Sequence, residues 1–194
     1  MDIKTFKQNL LDELYQPYQH CTACPLGCLG RQNVVFGEGN PNATLMIIGE
    51  GPGRDEDILK RPFVGRSGKL LDKILEIASF KREDVFIANV VKCRPPENRK
   101  PLPIESKTCK NLLLFKQIKI IRPRLICTLG SSALEALIEQ PVSITKMRGK
   151  IINHASMTIL PTFHPAYILR NRSELETFAK DLQLAQTFIS NIKL

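Results

Sequence analysis

Six cysteines are the residues of this chain whose type and spacing point most directly to chemistry. Cys21 and Cys24 form a C-x-x-C pair, and fifteen residues separate Cys93 from Cys109. In a reducing cytosol, clustered cysteines are more often metal ligands or catalytic groups than disulfide partners. Four thiolates suit either Zn²⁺ or an iron–sulfur cluster, and the spacing alone does not separate the two. The alternative interpretation is four unconnected thiols.

The other two cysteines are interpreted differently. Cys127 lies inside the apolar run at 125–129, which is typical of a small buried hydrophobic residue. Cys28 is ambiguous, because it could replace Cys24 as a ligand. We interpret it as a spare thiol in a loop.

Three further candidates lie next to apolar runs or in loops. Asn89 is a polar residue near the end of an apolar run, and Phe63 lies in a loop rich in proline and glycine. His164 follows another apolar run and precedes a proline. A buried amide at a strand end must be hydrogen-bonded, either to the backbone or to a ligand. The alternatives for the other two are core packing for the phenylalanine and a structural role for the histidine.

The sequence GEGPG at 49–53 also follows an apolar run. A dinucleotide site would read G-x-G-x-x-G and would open directly into a helix. Here the third glycine comes one position too early, a proline intervenes, and the acids at 55–57 would face a pyrophosphate. We therefore predict a tight loop that brings backbone amides close to a small ligand.

The apolar runs predict the elements that position these residues. Runs that are continuously hydrophobic, rather than alternating, are expected of strands covered on both faces, as in a parallel sheet. Such strands are predicted at 44–48, 85–91, 125–129 and 157–160. Strands alternating with helices predict one domain over residues 1–194, an α/β fold with three α/β/α layers and a short, mostly parallel, four-stranded central sheet. Such sheets bind ligands at the carboxyl ends of their strands.

Helices with one apolar face are predicted between and after these strands. They lie at 2–15, 70–78, 104–121, 132–138 and 173–192. Ser132 with Glu135, and Ser173 with Glu176, have the spacing of capping boxes at the starts of the last two helices.

The chain is strongly basic. Its 28 Lys and Arg residues exceed its 19 Asp and Glu residues by nine, and its pI is about 9.4. An anionic partner is expected, with nucleic acid first and a membrane surface second. The apolar runs are far shorter than the ~20 residues needed to cross a bilayer, and the first 19 residues lack the apolar segment of a signal peptide. We expect a soluble, cytoplasmic protein.

Basic residues flank the motifs and are candidate contacts to phosphates. A generally solvated basic surface is the alternative for each of them. They are Lys92, Arg94, Arg99, Lys100, Arg148, Lys150, Arg170 and Arg172.

Taken in order, these motifs resemble those of the family-four uracil-DNA glycosylases, the iron–sulfur branch of the uracil-DNA glycosylase superfamily. The resemblance extends from Cys21 to the final helix and rests on C-x-x-C, VFGEGNP, GEGPG, RPFVG, NVVKCRPPENR and HPAY. It implies a monofunctional glycosylase that hydrolyses the bond between uracil and deoxyribose in DNA, leaving an abasic site in base excision repair. It also implies a 4Fe–4S cluster held by Cys21, Cys24, Cys93 and Cys109.

The resemblance assigns roles around a uracil extruded from the DNA stack. Phe63 would stack on the base, and Asn89 would read its Watson–Crick edge. An amide can donate to uracil O4 and accept from N3–H at once, whereas cytosine presents the opposite pattern. A donor at uracil O2 would stabilise the negative charge of the departing base, and His164 is the candidate.

The group that activates water is left open. Gly51 aligns with an aspartate of the best-known branch and is expected to contact the substrate, but a glycine supplies no side-chain base. Glu50 and Glu56 are possible substitutes. Dissociative chemistry can also need little base.

Uracil-containing DNA, double- or single-stranded, is the expected partner of a monomeric enzyme that binds no membrane. Arg94, Arg99, Arg170 and Asn171 are the residues expected to contact the DNA.

Two rival interpretations remain. One is a basic metal-containing module that only binds nucleic acid, although such a module needs no convergent pocket. The other is the branch that couples covalently to abasic DNA through its histidine. That branch has a basic insertion before the histidine, whereas this chain has the compact sequence PTFH at 161–164.

Overall fold

The computed structural model describes residues 2–192, which form a central β-sheet with helices on both faces. The strands are β1 (Glu38–Gly39), β2 (Leu45–Gly49), β3 (Phe86–Asn89), β4 (Leu125–Leu129), β5 (Ile152–His154) and β6 (Met157–Thr162). The α-helices are α1 (Ile3–Tyr15), α2 (Arg54–Leu59), α3 (Arg66–Ile77), α4 (Pro103–Cys109), α5 (Phe115–Ile121), α6 (Ser131–Ile138), α7 (Ile144–Met147), α8 (Pro165–Arg170) and α9 (Leu175–Asn191). Among the described residues, no helix has the length and apolarity needed to span a membrane.

The sheet is mixed and has six strands in the order β1-β3-β2-β4-β6-β5. The four inner strands are parallel, with Met46 paired to Phe86 and Ile126 to Ile159. The two edge strands pair antiparallel to their neighbours. The prediction of a mostly parallel α/β sheet is confirmed for the inner strands. The predicted number of four strands is wrong, because the edge strands are short and polar and carry no apolar run.

Two hydrophobic clusters cover the two faces of the sheet. Along β2, Met46 and Ile48 belong to one cluster, and Leu45 and Ile47 belong to the other, as the alternation of side chains in a strand requires. Side chains of α1 and α6 pack into the first cluster, and side chains of α3, α8 and α9 pack into the second. The strands are buried on both faces, which explains their continuous apolar sequence.

The helix ends differ from the sequence prediction. The predicted helix at 104–121 is one helical stretch in which a π-helical segment, Lys110–Leu114, joins α4 to α5. Helix α6 already begins at Ser131, after Gly130 with a φ of 87°, so Ser132 lies inside the helix and is not its N-cap residue. Helix α9 follows the 3₁₀ turn Arg172–Glu174 and has no side-chain cap. Both predicted capping boxes are therefore wrong.

Candidate active site

A pocket of about 710 Å³ opens at the carboxyl edge of the parallel strands. Its walls come from the segments that follow β2, β3, β4 and β6, together with the loop before α3. Phe63, Asn89 and His164 all line it, although they are far apart in sequence. The ring centroids of Phe63 and His164 are 5.8 Å apart. The three candidates therefore share one cavity.

Asn89 supplies the pocket with an unpaired acceptor. It is the last residue of β3, is 1% exposed, and its Oδ1 has no hydrogen-bond partner within the described residues. A Cβ added at Gly49 would lie 2.5 Å from both that Oδ1 and Cζ of Phe63. The glycine thus lets the amide and the ring approach the end of β2. An orphan acceptor in a pocket is suited to a ligand that carries an N–H donor.

The backbone around Phe63 is unusual. Its φ is 51°, in the left-handed region that a bulky aromatic residue rarely adopts. Glu56 holds the residues that follow, because its Oε1 accepts from the backbone N–H groups of Val64 and Gly65 at 2.9 and 2.8 Å. Its Oε2 accepts from Gly53 N at 3.1 Å. Both carboxylate oxygens are therefore used to join the GEGPG loop to the Phe63 loop.

His164 is held as a neutral imidazole. Its Nδ1 accepts a hydrogen bond from the backbone N–H of Ala166 at 3.1 Å, so in the neutral ring the proton resides on Nε2. Burial, with a smaller effect of nearby Arg170, lowers the pKa of His164 from 6.5 to about 4, while Glu56 opposes the shift. Gly130 lies against the histidine, since an added Cβ would be 3.2 Å from the Cβ of His164.

The two candidate bases lie in different surroundings. Glu50 and Gly51 both line the pocket, and the Glu50 carboxylate makes no hydrogen bond or ion pair with residues 2–192. Gly51 packs against the segment that follows β3, because a Cβ there would lie 2.8 Å from Cγ2 of Val91. Glu56 also lines the pocket, but its oxygens are occupied by three backbone amides. The hydrogen bonding disfavours Glu56 as a base and leaves Glu50 available.

Four cysteines line a second, narrow cavity that shares no lining residue with the first. They are Cys21, Cys24, Cys93 and Cys109, whereas Cys28 is exposed and does not line it. Burial raises the pKa of Cys93 to about 12 and that of Cys109 to about 11. The charge of other cysteines of the set also raises the pKa of each of these two thiols. In residues 2–192, no three or more His, Cys, Asp or Glu side chains are placed to hold a single metal ion.

Two buried donor groups, from Lys92 and Arg31, lie close to cysteines of this set. The backbone N–H of Lys92 donates to Sγ of Cys109 at 3.3 Å. Nε of Arg31 is buried and has no partner within the described chain, while its Nη2 donates to the carbonyl of Cys21 at 2.9 Å. The charge of Arg31 lowers the pKa of Cys93 against the larger effect of burial. The cavity therefore suits a group with negative charge and sulfur acceptors.

Lys92 and Arg148 are both engaged by other side chains of the protein. Lys92 is fully buried, and its Nζ donates to Gln117 Oε1 at 2.6 Å. Arg148 makes an ion pair with the buried Asp181 through both Nε and Nη2. The prediction of a phosphate contact is wrong for Lys92, because its side chain is fully buried. For Arg148, whose side chain is ion-paired but 25% exposed, it stays a prediction.

The four residues expected to contact DNA lie near the mouth of the first pocket or in adjoining loops. Arg170 and Arg99 line the pocket, and Arg170 is exposed. Arg99 is engaged by the buried Glu105, with nitrogen–oxygen distances of 2.7 and 2.8 Å. Arg94 donates to Asn98 Oδ1 at 2.8 Å. The fourth residue, Asn171, donates through Nδ2 to the carbonyl of Tyr167 at 3.0 Å, within its own helix end.

Sequence reasoning missed other residues of the pocket wall. Ser131 and Ser132 line it at the end of β4, and Tyr167 lines it beside the ring of Phe163, with centroids 4.9 Å apart. The first two directly follow a predicted strand, and the tyrosine belongs to the HPAY motif. The rule that ligands bind at strand ends could have found all three.

Comparison with known proteins defines the class. The family model described as "Uracil DNA glycosylase superfamily" matches residues 36–188, so the fold and the pocket belong to that superfamily. The chain is 48% identical over 187 residues to the Type-4 uracil-DNA glycosylase of Thermotoga maritima, covering 94% of this chain and 96% of that one. It is 40% identical to proteins of the same name from Saccharolobus solfataricus, covering 93% and 87%, and Pyrobaculum aerophilum, covering 90% and 92%. The chain belongs to the type-4 uracil-DNA glycosylase family.

Proposed function

We propose that this chain removes uracil from DNA by hydrolysing the N-glycosidic bond, leaving an abasic site for base excision repair. The observation that carries the proposal is the convergence of Phe63, Asn89 and His164 in one pocket. These side chains supply an aromatic face, an unpaired amide acceptor and a neutral imidazole donor. The proposed site is a part of a single domain over residues 1–194.

The amide of Asn89 reads uracil. Its orphan Oδ1 accepts from uracil N3–H, and its Nδ2 donates to O4. Cytosine carries an acceptor at N3 and a donor at N4, so the same amide would face it with unmatched groups. Because the site is buried, that mismatch is costly and selects uracil. The Phe63 ring, beside the amide, stacks on the extruded base.

The imidazole of His164 stabilises the departing base. Its Nε2–H donates to uracil O2, where negative charge grows as the C1′–N1 bond breaks. The bond electrons leave with uracil, water oxygen adds to C1′, and a water proton is released. Since the ring is neutral near pH 7, it donates a hydrogen bond without first losing a proton. Glu50 is the free carboxylate that positions the water, and Gly51 borders the substrate with its backbone.

The four cysteines would hold the 4Fe–4S cluster that the family resemblance implies. They line one cavity, and four thiolates are the ligand set that such a cluster takes. When bound, it would supply a cross-link between the N-terminal loop and the segment after β3. The N–H of Lys92 donates to the Sγ of Cys109, and the orphan Nε of Arg31 is a further buried donor on a side chain whose charge acts on Cys93.

The phosphate backbone is bound around the pocket mouth. Arg170 is the most accessible of the candidates that line it, and Arg94 and Arg99 lie on the loop after Cys93. Asn171 fixes the end of α8 that carries Arg170. These side chains position the duplex, while base recognition remains with the pocket.

One assay tests the function. Cluster-loaded protein is incubated with an oligonucleotide containing one uracil, and free uracil, abasic product and protein–DNA adduct are measured. We expect equal amounts of free uracil and abasic product, with no adduct. Matched oligonucleotides with cytosine or thymine at the same position should remain intact. DNA binding without base release would support the binding-module alternative, and an adduct would support covalent coupling through the histidine.

A further inference from the structure

Arg82, which does not line the pocket, binds two backbone carbonyls of the turn that contains Phe63. Nη2 of Arg82 donates to the carbonyl of Pro62 at 2.5 Å, and Nη1 donates to the carbonyl of Phe63 at 3.2 Å. Glu56 accepts from the amides that follow Phe63. Phe63 is thus held from both sides. The guanidinium of Arg82 binds the carbonyls of Pro62 and Phe63, and the carboxylate of Glu56 binds the amides of the two residues that follow.

The guanidinium of Arg82 is itself fixed on all sides. Its Nε and Nη2 donate to Glu38 Oε1 at 3.2 and 2.9 Å, and its Nη1 donates to Asp72 Oδ1 at 2.6 Å. All three nitrogens are therefore hydrogen-bonded, and two of them also reach the loop carbonyls. The planar, rigid guanidinium can make all of these hydrogen bonds at once, whereas a lysine ammonium cannot reach all of the same acceptors.

Helix α3 leaves room for the same carbonyl. A Cβ added at Gly68 would overlap the backbone carbonyl of Phe63. The carbonyl thus lies between the glycine of α3 and the side chain of Arg82. Backbone strain of this kind persists only where the surroundings over-determine it, and it is concentrated at functional sites.

We infer that Arg82 is a positioning residue of the glycosylase: through the carbonyls of Pro62 and Phe63, it keeps the Phe63 ring at the base site. The inference deepens the proposed function and rests on the stacking role of Phe63. Without the guanidinium, the turn relaxes toward negative φ and the ring leaves the base.

A double-mutant cycle tests this on the full, cluster-loaded chain. Single-turnover uracil excision is measured for wild type, Arg82→Gln, Phe63→Ala and the double variant. We expect Arg82→Gln to slow excision by roughly tenfold to a hundredfold, as misplacing a contact group does. In the Phe63→Ala background, the same change should slow excision no further, because no ring remains to be positioned.

Arg61→Gln is the matched control. Arg61 forms an ion pair with the same Glu38 at 2.7 Å and is 57% exposed, but it donates to neither loop carbonyl. It should leave excision nearly unchanged. Hydrogen exchange of the Val64 and Gly65 amides supplies a readout independent of activity, and it should accelerate in Arg82→Gln and not in Arg61→Gln. If Arg82→Gln does not fold, Arg82→Lys replaces it, since lysine keeps the charge beside Glu38 but cannot bridge the carbonyls.

The outcomes are distinguishable. Multiplicative effects of Arg82→Gln and Phe63→Ala, or loop exchange equal to that of wild type, would overturn the role of Arg82 while leaving the stacking role intact. Full activity of Phe63→Ala alone would overturn the stacking role, and the inference with it.

Discussion

At the scale of single residues, the recognition of uracil depends on one buried atom. The Oδ1 of Asn89 has no partner within residues 2–192, and leaving such an acceptor unpaired costs about 1–3 kcal/mol. A base that donates from N3 removes this penalty when it binds. The energetic gain therefore requires the N3–H donor, which uracil has and cytosine lacks.

Replacing Asn89 with Asp tests this directly. The carboxylate keeps the acceptor but exchanges the donor at O4 for a second acceptor. We expect uracil excision to fall by at least about a hundredfold, because the buried polar groups no longer match. Some excision of cytosine should appear, and single-turnover assays with uracil and cytosine oligonucleotides measure both. A uracil rate equal to that of wild type would remove Asn89 from recognition.

Truncating His164 to Ala removes the donor at uracil O2. We expect kcat to fall by on the order of 10²–10³, the loss typical of one oxyanion-type donor. Steady-state kinetics on a uracil oligonucleotide measure the effect. A change confined to KM would instead assign the histidine to ground-state binding.

The pH dependence follows from the lowered pKa of His164, about 4 against 6.5 in an unfolded chain. Between these values the unfolded state binds a proton that the native state does not, so the free energy of unfolding falls as pH falls from 6.5 toward 4. The imidazole itself stays neutral in the native enzyme over that range. We expect single-turnover rates of wild type to show no inflection near pH 6.5. A rate that falls as pH drops through 6.5 would show that the imidazole titrates at its ordinary pKa and would contradict the shift.

The position of candidates in the pocket could be predicted from sequence where they lie at strand ends. Asn89 and His164 follow apolar runs, and the topology of parallel sheets brings such ends to one edge. Arg82 could not be found this way. It lies in a short 3₁₀ turn, and its bonds to Pro62 and Phe63 span about twenty residues. Only the fold reveals such a contact.

At the scale of elements, the inner strands were predictable and the edges were not. The apolar run at 125–129 matches β4 residue for residue, because a strand covered on both faces admits few polar residues. Strands β1 and β5 are half-exposed and contain two and three residues. Their pairing depends on neighbours distant in sequence, which local pattern does not encode.

Helix α3 and the Phe63 loop should be coupled through Gly68. Alanine normally stabilises a helix relative to glycine, but its Cβ here would overlap the carbonyl of Phe63. We expect Gly68→Ala to lower the free energy of unfolding by about 1–3 kcal/mol, the range for overpacking, and to slow uracil excision. Thermal unfolding and single-turnover excision test both effects. The exposed neighbour Lys69, changed to Ala, is the control, and a stabilised, fully active Gly68→Ala would contradict the coupling.

At the scale of the whole molecule, the net charge of +9 is not spread freely over the surface. Arg148 is paired with Asp181 and Arg99 with Glu105, while Lys110 pairs with Glu139 at 2.6 Å. Sequence composition predicted a nucleic-acid partner but could not tell paired cations from available ones. Exposed residues near the pocket, such as Arg170, therefore carry more of the expected DNA attraction than the total charge suggests.

The cysteine cavity links distant parts of the chain, and a serine substitution tests what it holds. Cys93 precedes the loop with Arg94 and Arg99, while Cys21 lies in the N-terminal loop. A cluster bound by both cysteines would cross-link the N-terminal loop to the loop that carries Arg94 and Arg99. Cross-links between segments distant in sequence restrict the unfolded chain most, so the cluster should stabilise the folded protein. We expect Cys93→Ser to lose iron and visible absorbance and to unfold at a lower temperature.

Cys28→Ser is the control for that experiment, because its thiol is exposed and outside the cavity. It should keep the iron content and unfolding temperature of wild type. Metal analysis that finds zinc and no iron in the wild-type protein would contradict the cluster. Loss of iron in both variants would instead bring Cys28 into the ligand set, since only a ligand thiol should be needed for binding. Because iron is quantified without any activity assay, the result stands independently of the glycosylase reaction.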